Sequence, residues 1–230
     1  MGYLRLDSAP DISINVRRSA RARRLSLRVS NLDGRVTLTV PAGMSLRTAQ
    51  DFAEKKANWI ASAVEGRPRP MLVDVGAEIP VEGRSHKVVA GAESTARLAD
   101  GRIEAPPGSA APAVMALLKE LARERLATAA WRHSRAVRRE FRQLKLKDTR
   151  SRWGSCSAEG NLMFSWRLIL APPSVLDYVV AHEVAHLRHM DHSRAFWNVV
   201  RNVCPEYQAP RNWLRREGAG LHRYRFHHGD

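Results

Sequence analysis

Apolar positions along the first 60 residues change period partway. Residues 12 to 16 and 25 to 30 alternate apolar and polar side chains, and Val36-Thr37-Leu38-Thr39-Val40 repeats that alternation after the turn signal Asn31-Leu32-Asp33-Gly34. A hairpin or meander is expected there. From Ser45 the spacing lengthens, and a helix is expected through Phe52 and Trp59-Ile60, ended by Gly66-Arg67-Pro68-Arg69-Pro70, the best linker candidate. Short strands are expected near 79–90 and 96–104. Pro106-Pro107-Gly108 then precedes a long helical pattern in which Leu118, Ala122, Leu126, Ala130, Val137, Phe141 and Leu144 approximate one face. Strand-like segments at 144–148 and 161–165 flank a polar loop from Arg152 to Gly160. With no internal repeat, this order reads as α+β: a β-rich region with one helix over 1–107, then a second domain over 108–230.

A further helix is expected after Pro172-Pro173, with Ser174 as cap and Asp177 three residues on in a capping-box arrangement. Leu176, Val180, Val184 and Leu187 form its core-facing stripe, and His182 and His186 lie on a neighbouring stripe with Val175 and Val179. The helix therefore carries His182-Glu183-Val184-Ala185-His186, an H-E-x-x-H pattern. Residues four apart share a helical face about 6 Å apart, so both imidazoles reach one ion, and the intervening Glu suits a general base on a metal-bound water.

A catalytic zinc usually has three protein ligands and one open position. His189 lies seven residues after His182, about 10 Å along a straight helix, which is too far for one ion. His192 reaches it if the chain turns back after about residue 189. Met190-Asp191-His192-Ser193 interrupts the apolar period, and Ser193 can cap a new helix with the stripe Phe196, Val199, Val200 and Val203 before Pro205. His192 also has the spacing of the last His in H-E-x-x-H-x-x-G-x-x-H, although His189 stands where that pattern has Gly. His192 is the expected third ligand and His189 the alternative.

Taken together, Arg152-Trp153-Gly154-Ser155-Cys156-Ser157, Trp166-Arg167-Leu168, Pro172, Tyr178, the H-E-x-x-H segment, His192-Ser193 and Phe196-Trp197 resemble the YgjP-like metallopeptidase family. The basic residues at 17 to 24, Asp33-Gly34, Pro41, Lys56 and Trp59-Ile60 extend the likeness to the N-terminal part. The resemblance implies a zincin-like second domain with a short mixed or antiparallel sheet, Zn²⁺ held by His182, His186 and His192, and Glu183 as the catalytic acid/base. Ser165 departs from it, standing before Trp166 where Asn is expected.

Arg152, Trp153 and Gly154 are substrate-binding candidates, because a strand edge beside a zinc helix can pair with an extended peptide and Gly permits close approach. The competing reading packs Trp153 in the core and gives Gly154 a turn. Tyr178, one turn before His182, is either an oxyanion donor or a buried structural Tyr, the latter preferred.

Charge widens the choice of partner. The formal net charge is +15, and residues 121 to 152 hold eleven Lys or Arg against three Asp or Glu. Such a surface attracts nucleic acid or the polyphosphate of a nucleotide. Three functions are thus open: a zinc metallopeptidase acting on peptide or protein, which is preferred; a zinc-dependent nucleotide phosphohydrolase of the pyrophosphatase type; and a basic nucleic-acid-associated protein with structural zinc. No apolar run is long enough for a membrane span and the N-terminal Met-Gly-Tyr-Leu-Arg-Leu-Asp lacks an apolar signal core, so a cytoplasmic protein without membrane partners is expected. Cys156 and Cys204 are expected as free thiols, and His222 to His228 as a basic, aromatic tail.

Overall fold

The computed structural model describes residues 2–30, 34–65 and 70–227. Residues 31–33 of the expected turn, 66–69 of the expected linker and His228 lie outside them. The chain folds as two compact units, Met1–Arg69 and Pro70–Asp230.

The first unit contains strands β1 (Gly2–Leu6), β2 (Ala9–Ser19), β3 (Ser26–Val29) and β4 (Val36–Pro41), then helices α1 (Leu46–Glu54) and α2 (Ala57–Glu65). The sheet order is β1-β2-β4-β3, with β2 and β4 parallel and both outer pairs antiparallel. The alternation of period two sends Ile14, Val16, Val36, Leu38 and Val40 inward onto Ala49, Ala53, Ala57 and Ile60 of the helices. Ser45 caps α1, its side chain accepting from Thr48 N–H. The single helix expected here breaks between Glu54 and Ala57. Strand β1 was not expected, although Leu4 and Leu6 alternate with Tyr3 and Arg5.

The second unit opens with β5 (Met71–Leu72), β6 (Glu78–Val81), β7 (Arg84–Ala90), β8 (Arg97–Ala99) and β9 (Arg102–Ala105), followed by α3 (Ala110–Val137). Residues 70–107, expected to belong with the N-terminal region, share their core with the C-terminal half instead: Ile79, Val81, Val88 and Ile103 are buried in one cluster with Leu118, Leu126 and Val180. Strands β6 to β9 form a sheet in the order β6-β7-β9-β8. The apolar face of α3 ends earlier than expected. Arg138 adopts the left-handed conformation at φ 53 and closes the helix, so Phe141 and Leu144 lie beyond it.

Strands β10 (Gln143–Lys147), β11 (Gly154–Cys156) and β12 (Asn161–Ser165) form a mixed sheet in the order β10-β12-β11, with β11 lying inside the segment expected as a loop. A 3₁₀ turn, Trp166–Leu170, leads into α4 (Pro173–Ala185), the H-E-x-x-H helix. Its cap differs from the expectation: Pro172 occupies the N-cap, no side chain caps it, and Asp177 turns instead to His133 and Arg132 of α3. Proline's fixed φ sets up the first turn without a side-chain acceptor. Helix α5 (Arg194–Val203) follows, capped by Ser193 accepting from Phe196 N–H.

Helix α6 (Gln208–Glu217) and the C-terminal segment overturn the tail expectation. Leu221, His222 and Phe226 are buried, and β13 (Tyr224–Arg225) pairs in parallel with β5. Arg167 anchors this segment, donating to the carbonyls of Leu221 and Tyr224 as well as to Asp148. The fold class is α+β. Among the described residues no helix is long and apolar enough to cross a membrane.

Candidate metal centre

Helix α4 is held by its buried stripe, with Val180 and Val184 fully inside and Leu176 nearly so. Its last turn presents His182, while His186 forms the C-cap in helical conformation at φ −64 and ψ −20. The helix ends at Ala185, about four residues before the expected reversal, and the following turn brings His192 back. Nitrogen atoms of His182, His186 and His192 lie within 4.8 Å of one another. Nε2 of His192 stands 3.1 Å from Nε2 of His182.

The donor set fits a cation on three counts. First, Nδ1–H of His186 donates to the His189 carbonyl at 2.9 Å, which leaves Nε2 with its lone pair. His189 thus contributes its main chain to the site and its ring lies outside the trio. Second, burial, aided by the neighbouring His186, His192 and Arg211, pushes His182 down to about 3, so its ring is neutral near pH 7 and able to ligate. Burial lowers His186 as well. Third, Nε2 of His182 faces Nε2 of His192 at 3.1 Å, so two imidazole nitrogens converge where one cation would sit, while Nδ1 of His182 is buried without a hydrogen-bond partner among the described residues. Phe196 packs against all three rings, with centroids 4.5 to 4.9 Å away, which holds them in place and keeps the pocket wall apolar.

Glu183 is 7% exposed, facing β11. Burial pushes its carboxyl up to about 7, against the opposing pull of Arg152 and of a hydrogen bond from Cys156 N–H. A bound dication would draw it down again. Gly154 is the reason that the strand and the carboxylate can be this close: a Cβ there would stand 2.6 Å from Cγ and 2.8 Å from Oε1 of Glu183.

The three substrate-binding candidates separate. Arg152 is exposed and close enough to stabilise the Glu183 carboxylate, and Gly154 touches it. Trp153 packs on His222, ring centroids 5.0 Å apart, and against Gly218. Trp153 C=O and Ser157 N–H both bond toward β12, at 2.8 and 3.0 Å, so alternation turns the main-chain groups of Gly154 and Cys156 outward.

Tyr178 is buried at 6% exposure, between the rings of His182 and Tyr207. Ser165 is fully buried and its hydroxyl has no partner among the described residues. Burial and the charge of Glu183 push the Cys156 thiol up to about 11, which keeps it protonated, and both cysteines are free.

Sequence reasoning missed Arg211 of α6. Its guanidinium lies 4.7 Å from the centroid of Trp197, whose ring is 5.7 Å from that of His182. The stripe that carries it, Trp213 and Leu214 among arginines, is too sparse to announce a helix. The basic region at 121–152 is partly consumed internally: Arg125 pairs with Glu82 and Glu124, each at 2.8 Å, and Arg132 pairs with Asp177.

A family model described as YgjP-like, metallopeptidase domain matches residues 23–217. None of the curated proteins compared matches the chain. The crystal structure of the metallopeptidase zymogen of Pyrococcus abyssi abylysin aligns with a TM-score of 0.36 and 16% identity, covering 40% of this chain and 95% of that one.

Proposed function

Because the chain belongs to the YgjP-like metallopeptidase family, we propose that it is a zinc-dependent metallopeptidase, with His182, His186 and His192 as ligands and Glu183 as the catalytic base. The observation that carries this reading is the convergence of three imidazole nitrogens within 4.8 Å beside a buried carboxylate. Zinc, when bound, acidifies water and polarises a carbonyl, contributions worth several kcal/mol.

Glu183 takes a proton from the attacking water at its carboxylate and returns it to the leaving amine. Cys156 N–H and Gly154 fix the carboxylate's position, and the exposed Arg152 offsets part of the burial that opposes its charge. The outward groups of Gly154 offer an extended peptide main-chain hydrogen bonds along the β11 edge. Phe196 and Tyr178 exclude water from the inner side of the imidazoles.

Glu183→Gln is the test. The variant is expected to keep its zinc and lose turnover of an unfolded protein by about 10²- to 10⁴-fold. Equal turnover would refute the assignment of the base. Arg211 and Arg152 place two cations near the cluster, which favours a second, anionic substrate class. Nucleoside triphosphates therefore belong in the same assay, and their consumption in place of protein would make the centre a nucleotide phosphohydrolase.

A further inference from the structure

The first unit carries thirteen Lys or Arg against six Asp or Glu over residues 1–69, and its sheet sorts them by face. The cross-strand partners Tyr3, Asn15, Thr37 and Arg28 form one row on the face opposite the core. Arg17, Thr39 and Ser26 form a neighbouring row on that face. Strands lie about 4.8 Å apart and residues on one face about 6.8 Å apart along a strand, so the backbones at Arg17 and Arg28 stand about 12 Å apart with the threonine hydroxyls between them. Arg17, Ser26, Arg28, Thr37 and Thr39, with Ser30 and Arg35, bound an open hollow of about 510 Å³, and among the described residues no carboxylate lines it. Asp11, the one acidic residue on β2, lies four residues back from Asn15. Among the described residues no salt bridge includes Arg17 or Arg28.

A second hollow of about 570 Å³ adjoins the first through Arg17 and is bounded by Tyr3, Arg18 and Leu46. Tyr3 is 77% exposed and Leu46 52%. Arg18 is held on the carbonyls of Ala42 and Met44, at 2.9 and 3.3 Å.

We propose that this sheet face binds single-stranded nucleic acid, with phosphates over Arg17, Arg28 and the hydroxyls of Thr37 and Thr39, and a base on the ring of Tyr3. Guanidiniums beside hydroxyl donors are the usual phosphate partners. An exposed aromatic next to a basic groove matches a ligand whose anions alternate with flat apolar rings. An acidic peptide offers anions without such rings, so it would leave the Tyr3 hollow unused. The site lies in the unit that does not hold the histidines, and its test does not depend on the zinc assignment.

Anisotropy of a labelled oligo(dT) of about 20 nucleotides, longer than the 4–16 nucleotides that one small fold covers, measures binding to the full chain over a range of salt. Arg17→Ala with Arg28→Ala is expected to reduce the slope of log affinity against log salt by about 1.4, at roughly 0.7 per phosphate contact. Tyr3→Ala is expected to weaken binding about 5- to 150-fold with the slope unchanged. Arg123→Ala, on an exposed part of α3, should change neither quantity. All of these positions are exposed, and circular dichroism checks that each variant is folded. The proposal is overturned if the double variant keeps the wild-type slope, if Tyr3→Ala binds as tightly as wild type, or if polyglutamate of equal charge displaces the oligonucleotide equally well.

Discussion

Two kinds of buried polar cluster stand side by side in the second unit, and they are satisfied differently. Arg167, 4% exposed, makes two hydrogen bonds to Asp148 at 2.7 and 3.0 Å, two more to main-chain carbonyls, and lies over the ring of Trp166. His133, 3% exposed, bonds Asp177 at 2.7 Å. The cluster on α4 and the turn after it has no such closure. His182 and His192 bring nitrogen to nitrogen at 3.1 Å, Nδ1 of His182 has no partner among the described residues, and burial opposes the charge on Glu183. Networks whose charges are all neutralised fix a fold, whereas a cluster of bases waiting for a cation is a site at which chemistry can occur.

The sharpest way to break this contrast is Asp148→Ala. It leaves the guanidinium of Arg167 buried without its counter-ion, which is expected to cost about 3–5 kcal/mol in denaturant unfolding while the zinc content stays unchanged. A parallel loss of zinc in still-folded protein would mean that the two clusters are one unit.

The next effect is on pH. Burial, reinforced by Arg167, pushes His222 down to about 4, below the usual imidazole value near 6.5. The folded state thus favours the neutral ring. Its stabilising contribution is complete above pH 6.5 and disappears as the pH falls through 6.5 toward 4, by about 3 kcal/mol. His222→Phe keeps a ring beside Trp153 and should flatten the stability profile over that window. An unchanged slope in the variant would place the titration elsewhere.

A smaller effect is expected for Gly154→Ala. The added methyl must displace Glu183, so a loss of about 1–3 kcal/mol is expected from overpacking. Turnover should fall and zinc should remain. Wild-type turnover in that variant would separate the β11 contact from catalysis.

What was legible in the sequence follows the same division. The H-E-x-x-H helix could be read because spacing on a helix fixes geometry over one or two turns, and the Ser193 cap and the return of His192 could be read from the break in the apolar period at Met190-Asp191-His192-Ser193. Alternation located β2, β3 and β4, at least in part, for a related reason. The domain boundary, the partners of Asp177 and the burial of Leu221 and Phe226 could not be read, because each depends on contacts between residues far apart in the chain. Arginines mask the apolar spacing of α6 and of the C-terminal segment, and a buried Arg167 looks like any other surface charge until its four hydrogen bonds are seen. Gly154 was noticed for its backbone, but the group that approaches it, Glu183, was visible only in three dimensions.

The proposed chemistry depends above all on three imidazoles sharing one cation. X-ray absorption on the zinc-loaded chain, together with metal analysis, tests this most directly. The expected result is about one zinc per chain with three nitrogen ligands at about 2.0–2.1 Å, and loss of that metal in His192→Ala. Zinc absent from the wild-type protein, or held equally well by His192→Ala, would contradict it.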